Sequence, residues 1–508
     1  MQKKDKGLTQ SISLTAGLLL AFFIPGKVKA DFPASYTLRT ITIASTGAME
    51  PMVGKPYPYL RLLKWLTPTT DASLIYRYIT LEPGATFNAK ALLFIQKRLI
   101  ALPYFSTVSV RRKGVEGGSA TILSDLLVQT KDRFPITVDM SLDEGPLLTI
   151  THHNAWGYGH GLSHQLFLKT RWGYGLAYEL PKLHGNYFFG GQCYKQIGNA
   201  YGNSYKFNYQ NLWVGKLFAI KAPFSLYYWI TGLSGSKKQF AAPVQAMENK
   251  TYYNNYAFIL GKVGWVVDDY ATIKRVYRLH ALETLPKGGS IEMLYGYQNG
   301  ALNNRHYIGI NCIKNITNST LKYLHLSCES GSFIHKKTFE AAILKLALAY
   351  AGPSIQTCNG TRQFIAIHYI IGYRMPKERM LGIRRRDSEA LEAPDDDKSM
   401  QAPIHARLNV DLDSTLHMPI MVAPIRFVCL GFAHFIALYN EHNALLNQTW
   451  VDRYGIGLQL EHVTMQWLTA ALKIGYSPLL DKVVPSVQLA IRHFKNKTDP
   501  KPTPVAYH

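Results

Sequence analysis

Beyond residue 30 the chain has no uninterrupted apolar run of 18 or more residues, which excludes a helical membrane span, since that needs about 20 apolar positions. Acidic residues are scarce. The 33 Asp and Glu face 56 Lys and Arg, and the resulting charge of +23 favours anionic surfaces such as nucleic acid or acidic lipid headgroups. Cysteine is sparse too: Cys193, Cys312, Cys328, Cys358 and Cys429 are odd in number and form no C-x-x-C pair, which excludes a zinc ribbon and a dithiol redox motif. They read as small packing residues. There is no G-x-S-x-G, no H-E-x-x-H and no P-loop. Gly157, Gly159 and Gly161 form a G-x-G-x-G, but no helical pattern follows it, so a tight turn between strands explains them better than a dinucleotide site. The 17 His are scattered over both faces of the strand patterns and read as wet lumen or interface positions rather than ligands. No catalytic residue, metal site or cofactor is read from the sequence, and an enzyme is the least supported class.

What remains is a chain that folds. An apolar fraction of 47% with 18% charged residues excludes intrinsic disorder, and 39 Gly with 25 Pro in no strict period exclude collagen. At 508 residues it needs several domains or one large architecture. The 32 Tyr outnumber the 22 Phe and 8 Trp together, a bias toward rings with one apolar and one wet end, as at an interface.

Residues 1–30 have the layout of a secretory signal peptide. Lys3, Lys4 and Lys6 form a basic start, an apolar stretch runs from Ile12 to Ile24, and Pro25-Gly26 breaks it before Val28-Lys29-Ala30 and the expected cut at Asp31. The apolar stretch is too short for a membrane anchor. Residues 31–134 then mix α and β. Tyr36 to Ala44 is Thr- and Ile-rich strand material; Asp71 caps a short helix carrying Leu74, Ile75 and Tyr78; Asn88 opens a longer helix with Leu92, Ile95, Leu99 and Leu102 on one face, stopped by Pro103. Two strands follow, Ser106 to Arg112 and Ala120 to Thr130, with a turn expected over Gly114 to Gly118. Such an order suits two helices on a small sheet with one core.

From about residue 137 the period becomes two. Trp172, Tyr174, Leu176, Tyr178 and Leu180 alternate with Gly173, Gly175, Ala177 and Glu179, and Phe207, Tyr209 and Trp213, Met293, Tyr295 and Tyr297, and His306, Ile308, Ile310 and Cys312 behave alike. Leu344 to Tyr350 and Ile365 to Tyr373 repeat the pattern; Leu408, Val410 and Leu412 oppose Arg407, Asn409, Asp411 and Asp413, and Ile456, Leu458 and Leu460 oppose Gly455, Gly457, Gln459 and Glu461. A soluble sandwich also alternates, but the aromatic-rimmed apolar faces, the lack of a second helical layer and the export signal favour a closed transmembrane barrel. Residues 135–494 accommodate about 16 strands of roughly 10 residues if the loops average about 12. Arg407, Asp411, Asp413 and Glu461 are the expected lumen-facing residues.

Several stretches resemble a known family. Ser73 to Arg77, Leu81 to Phe87, Arg98 to Phe105 and Val108 to Val110 resemble a POTRA domain, with Val128 to Phe134 as its exit. Arg407 to Asp413, Ile425 to Phe432, Tyr454 to Glu461, Thr469 to Pro478 and Val487 to Phe494 resemble, in order, the last five strands of the bacterial surface antigen family, the superfamily of outer-membrane assembly factors and two-partner secretion transporters. The family's V-R-G-[FY] loop tip is replaced by Leu381-Gly382-Ile383-Arg384-Arg385-Arg386. Gly382, Arg384 and Arg385 are therefore the loop candidates, Arg384 standing in for the arginine that pins this loop in the lumen. Val487, Leu489, Ile491 and Phe494 are the terminal-strand candidates, although Phe494 is out of phase with the other three and residues 495–508 follow as a tail.

The resemblance implies a mainly β protein: one small α+β POTRA domain in the periplasm, then an antiparallel transmembrane β-barrel in a bacterial outer membrane. It implies a role in assembling, inserting or translocating polypeptides, the POTRA sheet receiving clients by strand addition. The partners implied are unfolded outer-membrane or secreted polypeptides, the lipid bilayer with its acidic headgroups, and periplasmic chaperones or accessory subunits; nucleic acid is not among them. A passive outer-membrane channel and a surface-exposed adhesin or antigen are the alternatives.

Overall fold

The computed structural model describes residues 36–48, 65–118, 121–141, 147–167, 172–181, 186–200, 203–221, 226–241, 255–274, 282–300, 304–318, 322–353, 361–375, 404–422, 425–440, 449–462, 469–478, 481–489 and 501–505. The expected signal peptide lies outside them.

The first part is a four-stranded sheet with two helices. Its elements are β1 (Tyr36–Thr46), α1 (Ala72–Tyr78), β2 (Thr86–Phe87), α2 (Ala89–Ile100), β3 (Phe105–Gly118) and β4 (Thr121–Asp132), in sheet order β2-β1-β4-β3. Both helices start where the sequence has a cap: the Asp71 carboxylate accepts from Ser73 N–H, and the Asn88 side chain accepts from Ala91 N–H. Their apolar faces meet the sheet in one core that contains Leu38, Leu74, Ile75, Ile95, Leu99, Phe105, Leu126 and Val128. The turn expected over Gly114 to Gly118 is instead strand. β3 runs on through Gly118, with a register shift between Lys113 and Val115 that takes up Gly114 as a bulge. A second bulge sits in β1, where Arg39 and Thr40 together face Asp125 of the parallel strand β4. Asp125 clamps both: Arg39 donates to its two oxygens at 3.0 and 2.7 Å, and Thr40 Oγ1 donates at 2.8 Å.

Three residues after β4 the chain enters a closed antiparallel barrel. Its strands are β5 (Ile136–Ser141), β6 (Leu147–Ala155), β7 (His160–Phe167), β8 (Trp172–Leu180), β9 (Tyr187–Ala200), β10 (Asn203–Lys221), β11 (Leu226–Phe240) and β12 (Tyr256–Asp268). A side hairpin of β13 (Tyr270–Lys274) and β14 (Leu282–Pro286) interrupts the ring. It resumes with β15 (Gly289–Gly300), β16 (Arg305–Ile316), β17 (Tyr323–His335), β18 (Thr338–Ala351), β19 (Arg362–Tyr373), β20 (Ile404–Val422), β21 (Ile425–Asn440), β22 (Thr449–His462), β23 (Thr469–Ser477) and β24 (Lys482–Leu489), and β24 closes on β5.

The described ring thus has eighteen strands, not about 16, because several connections are far shorter than the expected average of about 12 residues. Only residues 201–202 separate β9 from β10, and only Lys336 and Lys337, both at positive φ, separate β17 from β18. Since β5 leaves the sheet-and-helix domain, the even-numbered ring returns β24 to the mouth beside that domain. β19 ends and β20 begins at the opposite mouth.

Side chains alternate between two environments. Leu212 is 70% exposed and Ile456 73%, with Val214, Phe218, Ile220, Ile259, Val263, Met293, Tyr295, Leu472 and Ile474 on the same outer surface. On the inner surface Lys262 is 3% exposed and Asn409 2%, and Lys262 Nζ lies 3.3 Å from Glu292 Oε1. The inner surface is not uniformly polar. Phe207 and Trp213, expected beside the outward apolar residues, are buried on the lumen side of β10, where Trp213 packs with Phe188, Ile230 and Val266. β10 is apolar on both faces, so alternation alone leaves its direction open. Among the described residues no helix is long and apolar enough to cross a membrane.

Candidate functional site

Three features converge on the barrel interior: a domain fixed at one mouth, a charged patch on the wall, and a distant stretch of the chain lying inside.

The mouth is organised by α2. Buried Arg98 donates to the Tyr78 carbonyl at 2.9 Å, and its Nε lies 3.3 Å from the Asp268 carboxylate at the end of β12. The turn between β6 and β7 supplies the second attachment. Gly157 O accepts from Asp71 N–H at 3.0 Å, and Tyr104 Oη donates to Gly159 O at 3.4 Å. Asn154 joins the two sides, donating to Thr70 Oγ1 at 2.8 Å and accepting from Gly159 N–H at 2.7 Å. Gly157 and Gly159 both have φ +79°, and a Cβ on Gly157 would stand 2.5 Å from Thr69 O. The G-x-G-x-G is therefore a docking turn. Burial pushes the Tyr78 phenol up to about 12, against the pull of the Arg98 charge.

The charged patch is built by register. Asp411 of β20 pairs with His434 of β21, which pairs with Arg453 of β22. His434 Nδ1 lies 3.3 Å from Asp411 Oδ1, and its Nε2 lies 3.5 Å from Asp413 Oδ1. Phe432 meets His434 edge to face at 5.0 Å, while Arg453 and Lys473 stand 5.5 and 5.1 Å over the Phe432 ring. Arg407 and Asn409 continue this inner face along β20. The patch sets carboxylates, an imidazole and two cations side by side on the wall, and among the described residues no group of three or more His, Cys, Asp or Glu is arranged to hold a metal ion.

Residues 501–505 lie in the lumen, separated from β24 by only residues 490–500. Lys501 Nζ donates to Gln192 Oε1 of β9 at 2.7 Å and stands 4.7 Å over the Trp213 ring. Ser234 Oγ of β11 donates to Pro502 O at 3.2 Å. Gly232, one inward step along β11, leaves room for the ring, since a Cβ there would meet Pro502 Cγ at 3.1 Å. Val505 N–H donates to the buried Tyr307 Oη of β16 at 2.8 Å, and its side chain packs with Ile343 and Ile370.

Of the residues singled out from sequence, Arg407, Asp411 and Asp413 sit on the inner face of β20, the two carboxylates brought together by His434. The backbone of Glu461 pairs with Arg426 and Thr469, and Val487 and Leu489 pair in β24 with Leu472 and Ala470. Gly382, Arg384, Arg385, Ile491 and Phe494 lie outside the described residues. The sequence reading missed His434, Tyr307 and the course of residues 501–505. The spaced pair Pro502 and Pro504 behind Lys501 marks a pre-extended stretch with a charged head but carries no sign of where it lies.

The fold is that of a closed antiparallel β-barrel carrying a small mixed α/β domain at one mouth. No family model matches the chain, and no curated protein does. Among solved structures it is similar to a BamA from Haemophilus ducreyi lacking POTRA domains 1–3, at 11% identity, TM-score 0.40, and coverage of 89% of this chain and 84% of that one. It is also similar to CdiB from Acinetobacter baumannii, at 13% identity, TM-score 0.45, and coverage of 90% and 74%. A third is CdiB from Escherichia coli, at 7% identity, TM-score 0.29, and coverage of 92% of each.

Proposed function

We propose that this protein is a bacterial outer-membrane β-barrel that handles polypeptides, inserting them into the membrane or passing them across it, with residues 31–134 acting as a periplasmic POTRA-type domain. The observation that carries the reading is the two-faced ring itself. It turns an apolar surface outward, closes every strand edge around itself, and keeps charged groups such as Lys262, Glu292, Arg407 and Asp411 inside. A bilayer suits the outside and water the inside. The surplus of basic residues suits acidic headgroups at the barrel rims.

Two mechanical features fit work on unfolded chains. Among the described residues, no further strand pairs with the outer edge of β3, so its backbone groups offer a template for an incoming extended segment regardless of that segment's sequence. The ring seam is also short: β24 has eight residues and β5 six, against fourteen in β9 and nineteen in β10. Among the described residues such short strands leave room for fewer main-chain hydrogen bonds across the seam than along β9 and β10, so parting there costs less. Clients arrive unfolded, handed over by chaperones or accessory subunits at the domain that Arg98 and Gly157 hold beside the mouth.

Depletion of the protein followed by a survey of envelope proteins tests the reading. Broad loss of barrel proteins supports insertion, loss of one exported client supports dedicated transport, and an unchanged envelope overturns both.

A further inference from the structure

β24 ends at the mouth beside the sheet-and-helix domain, yet Val505 sits close to the other mouth. Its contacts are Tyr307, two positions into β16; Ile370, three positions before β19 ends; and Ile343 in the first half of β18. All three lie toward the end of the barrel where β16 and β18 start and β19 stops. Lys501 is held lower, at the middle of β9 and β10. Residues 501–505 thus climb from mid-barrel toward the far mouth.

The wall along this course is shaped for an extended chain. Gly232 makes room for one proline, Ser234 donates to that proline's carbonyl, Tyr307 accepts one backbone N–H, and an apolar floor takes one branched side chain. Tyr307 itself is fixed by close glycines, since a Cβ at Gly309 would stand 3.1 Å from its ring. Between the anchored ends Thr503 and Pro504 stay exposed to the open lumen. Two prolines hold the segment near polyproline II geometry, so little conformational entropy is lost on seating it, and four residue steps span about 12 Å.

We propose that the lumen contains a binding site for an extended, proline-containing polypeptide, that residues 501–505 are its resident occupant, and that a client passing through the barrel displaces them. The inference rests on the polypeptide-handling reading and narrows it to passage through the lumen. Because the occupant is tethered by residues 490–500, its effective concentration is on the order of millimolar, and a weak site is filled until a longer client competes.

The test compares the full chain in planar bilayers with a variant lacking residues 495–508 and with Val505→Asp, which sets a carboxylate against Ile343 and Ile370 and leaves the wall untouched. Both variants should conduct severalfold more than the full chain. An amidated peptide with the sequence of residues 499–505 should bring the deletion variant back toward the full chain's conductance at roughly millimolar concentration. The same peptide with alanine for its prolines should do so less well, and Tyr307→Phe should weaken the block. Heat-dependent gel mobility reports that each barrel is folded. Equal conductance of the full chain and both variants, or a deletion variant indifferent to the peptide, overturns the proposal. An unchanged envelope on depletion with the peptide block intact would instead sink the polypeptide-handling role alone.

Discussion

The Arg98 guanidinium lies 3.3 Å from the Asp268 carboxylate with both side chains largely withdrawn from water, so a helix of the small domain is ion-paired to the end of a barrel strand. The same guanidinium stands 5.7 Å from the Tyr78 ring and donates to the Tyr78 carbonyl, which makes Arg98 the joint between α1, α2 and β12.

Breaking a buried pair by removing one partner strands the other charge, at a cost of roughly 3–5 kcal/mol. Arg98→Met and Asp268→Asn should therefore each loosen the small domain, and the double variant should lose less than the sum of the two. Hydrogen exchange of α2 and β13 in the detergent-solubilised protein reports this. Additive effects would show that the two groups do not act as a pair.

The turn at Gly157 makes a second, independent prediction. Its φ of +79° and the Thr69 carbonyl, 2.5 Å from where a Cβ would stand, leave no room for alanine. Gly157→Ala should cost about 1–3 kcal/mol of domain docking and speed exchange at Asp71 and its neighbours in the docked loop, while Gly235→Ala, with open space around its Cβ position, should be close to neutral.

Strong acid should loosen the β1 bulge. Hydrogen bonds from Arg39 and Thr40 hold the Asp125 carboxyl well below the ordinary carboxylate range. A depressed folded value means the clamp stabilises fully above the unfolded pKa of about 4 and is lost as pH falls through the folded value. Exchange of β1 amides should accelerate over that acidic window, and Asp125→Asn should abolish the pH dependence while raising exchange at neutral pH. A variant that keeps the wild-type acid response would assign it to another group.

How far these features were legible from sequence depends on whether their cause is local. Asp71 and Asn88 cap their helices because a side-chain oxygen two or three residues away from an amide is a short-range fact. Period two placed Arg407, Asp411 and Asp413 on one face of β20, but their partner His434 belongs to the next strand, and only register sets it opposite Asp411. The direction of β10 was illegible because Phe207 and Trp213 alternate with Leu212 and Val214, which are just as apolar. The strand count slipped at turns such as Lys336-Lys337, where two long side chains adopt positive φ without the Asn or Gly that advertises it. The course of residues 501–505 depends on Gly232, Ser234 and Tyr307, all far away in sequence, so no window around Pro502 contains it.

The two-solvent barrel itself yields the sharpest contrast. Ile456 and Leu212 are on the outer surface and Gln165 is on the inner surface, where Leu166 beside it points outward. In a bilayer, Ile456→Lys and Leu212→Lys should each destabilise the folded barrel by about 2–4 kcal/mol if they lie near the midplane, since a lysine there faces hydrocarbon. Gln165→Lys meets the lumen, where polar and charged side chains already sit, and should stay within about 1 kcal/mol. Reversible urea unfolding from liposomes measures all three. Equal penalties on the two surfaces would mean that both face the same solvent, and a membrane-spanning cylinder would then be the wrong physical picture for residues 136–489.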